Sequence, residues 1–273
     1  MTVKYLQKEE KHQNPTDNLS VCVLGSGSKG NAIFISDGST SIIVDAGLSG
    51  IEIERRLKSK GLSPENLDAI LVSHEHVDHI KSAGVLSRRF DLPVYISSKT
   101  GKIASTQLGT VKELRNFECG SAFKIKNLTV HPFSLPHDAK DPSGFTVRLD
   151  SKKIGIATDL GTATAMVKSH LKDCALLILE ANHDPIMLEN GPYPWPLKQR
   201  IKSRTGHLSN EASKILLKEL LHDQLQHVIL AHLSEINNTP QKAVSVIEPS
   251  LASSNTKLHV AFQDKCGDLL HLK

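Results

Sequence analysis

The densest chemistry in the chain lies within six residues, His74-Glu75-His76-Val77-Asp78-His79. Imidazole and carboxylate groups are ligands for Zn, Mn and Fe. His74 and His76 alternate, so in an extended segment both side chains point the same way. Asp78 and His79 fall where a helix can begin and reach a second position a few ångströms from the first. The H-x-H-x-D-H spacing can therefore feed two metal ions instead of one. The run follows the apolar Ala69-Ile70-Leu71-Val72 directly, as expected of a buried strand that delivers a site at its end.

Such a site needs rigid elements to hold it, and apolar patterning supplies them. Strands are expected over 20–24, 32–35, 41–45, 67–73, 94–96, 111–114, 122–125, 128–133, 144–149, 153–157, 175–180, 227–231 and 257–262, with 269–272 as a partner of the last. Helices are expected over 50–60, stopped by Gly61, and over 80–89, 97–108, 163–171 and 211–221. The fifth of these is capped by Ser209 or Asn210, and Pro240 opens a last helix. The proline-rich stretch 185–204, with the only tryptophan, Trp195, reads as irregular and carries Lys198, Arg200, Lys202 and Arg204. Acids or histidines recur just past strand ends, at Asp45, His74, His137, Asp159, Glu180 and His232. In α/β architectures ligands collect where strand ends gather. Two sheets face to face with helices outside fit this order. Asp45 either orients a ligand histidine from behind or caps a turn. The glycine-rich 25–31 is not a phosphate-binding P-loop, because a strand follows where a helix is required. It reads as a tight turn whose backbone, with Ser26, Ser28 and Asn31, lines a site for an anion.

The chain has 273 residues, 39% hydrophobic and 23% charged, the profile of an ordinary globular protein. Residues 1–18 read as a flexible polar tail without a signal-peptide core, and 19–273 as one domain. No apolar run reaches the length of a membrane span. The four cysteines form no C-x-x-C pair and read as reduced thiols, so the expected location is cytoplasmic. A net charge of +4 permits an anionic substrate, and 4% aromatic residues argue against stacked aromatic platforms.

Taken in order, Asp45, His74-x-His76-x-Asp78-His79, His137, Asp159 and His232 resemble the five motifs of the metallo-β-lactamase-fold hydrolases. Within that superfamily the chain is most similar to the YycJ/WalJ group. The similar stretches are Leu24–Asn31, Glu180–Asp184, Gly191–Pro194, Gly206–Asn210 and His232–Pro240. The resemblance implies an α/β fold, an αββα four-layer sandwich of two mixed β-sheets flanked by helices. It also implies two divalent ions, Mn2+ or Zn2+ with Fe compatible. His74, His76 and His137 would hold one ion, Asp78, His79 and His232 the other, and Asp159 would bridge them. The implied activity is a phosphodiesterase, a 5′-to-3′ DNA exonuclease, with hydroxide attacking phosphorus. Asp78, His207 and Glu180 are then the catalytic group: His207 is the general acid and Glu180 the carboxylate that orients it. Lys198 and Arg200 would contact substrate phosphates, and Asp45 would support a ligand histidine.

The ligand set leaves substrate length open, so hydrolysis of RNA precursors or of small cyclic phosphodiesters stands beside DNA. Thiolester or lactam hydrolysis fits less well, because the β-lactamase pattern puts Cys in the second ligand set. A metal-binding scaffold would require a degenerate site, and all seven ligand positions are filled. A homo-oligomer is compatible with the sequence; a membrane partner is not expected. His131, His170, His183, His222, His227, His259 and His271 read as surface or satisfied core side chains.

Overall fold

The computed structural model describes residues 19–273; the expected tail over 1–18 lies outside the described residues. Short apolar segments punctuated by glycine and acid turns give the first-half strands β1 (Ser20–Gly25), β2 (Ala32–Ser36), β3 (Ser41–Val44), β4 (Ala69–Leu71), β5 (Pro93–Ser97) and β6 (Glu113–Phe117). The second half supplies β7 (Phe123–Ile125), β8 (Leu128–Ser134), β9 (Ser143–Leu149), β10 (Lys152–Ala157), β11 (Leu176–Glu180), β12 (His227–Ala231) and β13 (Lys257–Val260). A last strand, β14 (Leu270–His271), returns to the first sheet. The two seven-stranded sheets run β14-β1-β2-β3-β4-β5-β6 and β13-β12-β11-β10-β9-β8-β7. In each, an antiparallel meander passes into parallel strands, at β3–β4 and at β10–β11.

Alternation along the strands gives every sheet two apolar faces, which bury three cores. Val21, Val23, Ile33, Ile35 and Leu71 of one sheet meet Val130, Phe145, Val147, Ile156 and Ile178 of the other. The outer face of the first sheet, with Phe34, Ile43 and Val94, packs on α1 (Gly50–Ser59), α3 (Ala83–Phe90) and α4 (Ser98–Leu108). Phe133, Leu177, Leu179 and Leu230 of the second pack on α5 (Ala165–Leu171), α8 (Asn210–Leu220) and α9 (Pro240–Ile247). The product is the expected αββα sandwich. No helix among the described residues is long and apolar enough to cross a membrane.

Three local expectations need correction. The 185–204 segment is helical: α6 (Pro185–Asn190) starts on Asp184, whose side chain accepts from Met187 N, and α7 (Trp195–Lys202) follows Pro194. Pro185 and Pro196 sit in first turns, where the missing N–H costs nothing, while Pro194 precedes α7 as its N-cap and Pro192 lies in the link between the helices. Residues 269–272 do not pair with the closing strand; Leu270 and His271 pair with β1 in the opposite sheet. The helix expected over 80–89 is divided into α2 (Val77–Ile80) and α3, because Ser82 turns back to donate to Ala46 O at 3.0 Å.

Candidate metal centre

Loops leaving the strand ends bring the site together. Past β3, Asp45 adopts φ 62°; past β10, Asp159 adopts φ 58°; past β12, His232 adopts φ 56°. All three are in the left-handed region, which is costly for a residue bearing Cβ and is retained where surroundings enforce it. Each turn aims a side chain inward directly after its strand. Gly47 shows how tightly the loops are fitted: a Cβ there would lie 1.6 Å from Asp78 O. Ala46 N donates to His79 O at 2.7 Å and Asn31 N to Asp78 O at 2.7 Å, which fixes α2 against the strand ends.

Two sets of donor atoms converge. His74 Nε2 lies 3.0 Å from His76 Nδ1, which lies 3.4 Å from His137 Nε2. Asp78 Oδ2 lies 3.4 Å from His79 Nε2 and 3.5 Å from His232 Nε2. Ligands at about 2.0–2.1 Å around a tetrahedral ion stand about 3.3 Å apart, so both sets have coordination spacing. Asp159 lies between them, Oδ2 3.1 Å from His79 Nε2, Oδ1 3.5 Å from His232 Nε2 and 3.8 Å from His137 Nε2. Asp159 Oδ2 and His232 Nε2 are buried without a hydrogen-bond partner. Orphaned buried donors or acceptors are expensive, and a cation would satisfy these. The residues present therefore fit divalent metal ions.

The outward nitrogens of the imidazoles are held from behind. His79 Nδ1–H donates to Asp45 Oδ2 at 2.7 Å, and Asp45 also accepts from Ser73 N and Ser73 Oγ at 2.8 and 2.9 Å. His74 Nδ1 meets Ser73 Oγ at 3.0 Å, and His137 Nδ1 meets Gly206 O at 3.3 Å. Glu180, fully buried, accepts from His207 Nδ1 at 2.7 Å and His232 Nδ1 at 3.0 Å on Oε1. Its Oε2 accepts from Leu160 N and Leu208 N at 2.8 and 3.0 Å. Glu180 is thus joined to one candidate ligand and to the candidate acid.

The electrostatics follow from this packing. Burial disfavours an ionised Glu180, yet attraction and hydrogen bonds from His207 and His232 pull it down to about 2. Burial likewise opposes protonation of His232, but Asp159, Asp78 and Glu180 outweigh it and raise it to about 10. His79 is raised in the same way by Asp159 and Asp45, and His207 by Glu180, each against burial. His74 is pushed down by burial and by the neighbouring His79.

The other expected residues are placed as follows. Ser26 and Asn31 do not line an open anion site. Both are buried, and their polar atoms are spent on the protein. Ser26 Oγ accepts from His232 N at 2.8 Å, and Asn31 Nδ2 lies 3.0 Å from His79 Nε2 and 3.2 Å from Asp78 Oδ2. Ser28 is exposed. Lys198 and Arg200 share α7; Lys198 Nζ donates to Glu189 O at 2.6 Å and Arg200 Nε to Asp138 Oδ2 at 2.5 Å. Asp138 follows His137 in sequence, so its ion pair ties α7 to the centre.

Ser73, Asn182, Asp138 and His183 were not singled out from sequence. Ser73 and Asp138 adjoin His74 and His137, and that adjacency was the available signal. Asn182 Nδ2 donates to His232 O at 2.9 Å. His183 was read as a satisfied or surface side chain, but it is buried and its Nδ1 has no partner. Burial lowers it to about 4.

A β-lactamase superfamily domain matches residues 40–232, a span that encloses every candidate ligand. The chain is 34% identical over 247 residues to the exodeoxyribonuclease YycJ of Bacillus anthracis, covering 90% of this chain and 94% of that one. It is 35% identical over 245 residues to the exodeoxyribonuclease WalJ of Streptococcus pneumoniae, covering 88% and 91%. The metallo-β-lactamase fold protein YhfI of Bacillus subtilis superposes with a TM-score of 0.72 at 17% identity, over 93% of this chain and 99% of that one, a likeness of fold. A domain match across all the strand ends that build the centre, and relatives aligned over nearly their full length, place the chain in the β-lactamase superfamily, in its YycJ/WalJ family of metal-dependent hydrolases.

Proposed function

We propose that this protein is an exodeoxyribonuclease that hydrolyses DNA phosphodiesters in the 5′-to-3′ direction with two divalent ions, Mn2+ or Zn2+. One observation carries the reading: two donor sets at coordination spacing share Asp159. The exodeoxyribonuclease relatives support DNA as substrate. His74, His76 and His137 would hold one ion, Asp78, His79 and His232 the other, with Asp159 reaching both. Bound there, the ions would neutralise phosphoryl charge and lower the pKa of a water toward about 7.

The chain's own side chains do the rest. Asp45 and Glu180 fix the orientation of His79 and His232, so that the other ring nitrogen of each faces the centre. His207 gives its proton to the leaving oxygen. Its Nδ1 is committed to Glu180, which leaves Nε2 for the substrate, and Glu180 favours the protonated ring against burial. Arg200, brought beside the centre by Asp138, and Lys198 on the same helix contact backbone phosphates.

The test is a degradation assay on end-labelled DNA duplexes with Mn2+ or Zn2+ added, alongside RNA and cyclic nucleotides. Release of nucleotides from the 5′ end, abolished in His76→Ala, is expected. Equal activity of His76→Ala would overturn the mechanism. Faster turnover of RNA or cyclic nucleotides would overturn the substrate.

A further inference from the structure

Cys22 and Cys266 are separated by almost the whole chain, yet their sulfurs lie 3.4 Å apart. Cys22 is fully buried in β1; Cys266 lies in the loop between β13 and β14 and is partly exposed. The Cys22 thiol is also 3.4 Å from Gly267 O. The other two cysteines have no sulfur partner: Cys119 Sγ meets Ser143 Oγ and Cys174 Sγ meets Lys172 O. Cys266 opens onto a cavity of about 260 Å3 along the seam between the sheets, also lined by His259, Lys265 and Asp268. A small oxidant therefore has a path to one sulfur of the pair and not to the other. The hydrogen bond from Cys22, joined by Lys60 and Arg56, draws the Cys266 thiol down to about 7 against burial, and the same bond raises Cys22. A thiolate beside cations, with a second thiol in contact, is the arrangement of a reactive and a resolving cysteine.

We propose that Cys22 and Cys266 are a reversible redox pair that takes a peroxide and closes to a disulfide. The Cys266 thiolate attacks one peroxide oxygen. The O–O bond breaks, an S–O bond forms, and the sulfur gives up two electrons as hydroxide leaves. Cys22 Sγ then attacks the Cys266 sulfur; the S–S bond forms, the S–O bond breaks, and the departing hydroxide takes the Cys22 proton. Two thiols and one peroxide yield one disulfide and two waters. A disulfide is about 2.05 Å long, so the sulfurs close by about 1.4 Å, which the loop around Cys266 can supply.

The bond would fasten a segment that braces the metal centre. Phe262 O accepts from Ser26 N at 3.0 Å, Gln263 Oε1 from Lys29 N at 2.7 Å, and Gln263 Nε2 donates to Gly30 O at 3.2 Å. These contacts hold the turn whose Ser26 and Asn31 reach His232, His79 and Asp78. Closing a loop of nearly the full chain stabilises the folded state by restricting the unfolded one.

Full-length protein treated with hydrogen peroxide should lose two of its four thiols and about two mass units, with Cys22 and Cys266 peptides linked and dithiothreitol reversing the change. The melting temperature should rise on oxidation. Cys266→Ser, a change at a partly exposed loop position, should abolish the link and the rise, whereas Cys119→Ser should keep both. Peroxide that converts Cys266 to a sulfinic acid without linking Cys22, or leaves all four thiols free, would overturn the proposal. A disulfide that forms without raising the melting temperature would overturn the bracing role.

Discussion

Replacing Asp45 by Asn isolates how this fold prepares a ligand. Asn tolerates the left-handed backbone at φ 62°, so the turn should survive. Its amide oxygen can still accept from Ser73 N, as Asp45 Oδ1 does at 2.8 Å. The amide nitrogen then replaces Oδ2, which accepts from His79 Nδ1 at 2.7 Å. An N–H now points at Nδ1, so His79 must carry its proton on Nε2, the atom that faces Asp78 and Asp159. Losing this charge-assisted bond costs about 1.5–3 kcal/mol. Supporting partners of ligand histidines are worth about 10–100-fold in metal affinity, or about 1.4–2.8 kcal/mol, which agrees. Calorimetric titration of metal-free protein with Mn2+ or Zn2+ should show one binding step weakened about 10–100-fold and the step assigned to His74, His76 and His137 little changed. The melting curve of Asp45→Asn should stay cooperative. Unchanged affinity for both ions would refute the reasoning. So would equal loss at both steps with a collapsed melting curve, because Asp45 would then be holding the fold and not His79.

Other outcomes follow from the same geometry. His207→Gln should lower turnover by about 10²–10⁴-fold while metal content is retained; loss of an ion instead would make His207 a ligand. Because Glu180 raises the His207 pKa, its proton is present below the raised value, and the alkaline decline in rate should begin above pH 6.5 and vanish in His207→Gln. Metal-free protein should lose thermal stability as pH climbs from 6.5 through about 10. The raised His232 contributes fully below its unfolded pKa and stops contributing once deprotonated, and a flat profile over that window would contradict this. Metal uptake near neutral pH should release a proton each from His79 and His232, visible as a buffer-dependent binding enthalpy. Lys198→Ala with Arg200→Ala should weaken DNA binding and flatten its salt dependence, read by fluorescence anisotropy across salt concentrations.

The 74–79 cluster and most strands were legible in the sequence through ligand spacing and apolar runs; Asp45, His137, Asp159 and His232 showed only as acids and histidines past strand ends, and the family resemblance made the last three candidate ligands. Helix α7 was missed because Pro192, Pro194 and Pro196 read as breakers, whereas Pro192 lies in the link before the helix, Pro194 is its N-cap and Pro196 occupies its first turn. Strand β14 was assigned to the wrong sheet because pairing β1 with Leu270 and His271 joins the two ends of the domain, and no local pattern reports that closure. The sequence alone put ligand-type side chains at strand ends, because strand length and residue type are local properties. Tertiary structure alone decided which nitrogen of His79, His137 and His232 faces the centre, since Asp45, Gly206 and Glu180 choose it from distant segments. It also decided that Ser26 and Asn31 brace the centre, and that Cys22 lies against Cys266. Spacing along the chain limits what a residue can reach, but hydrogen bonds between distant strand ends fix where its atoms point.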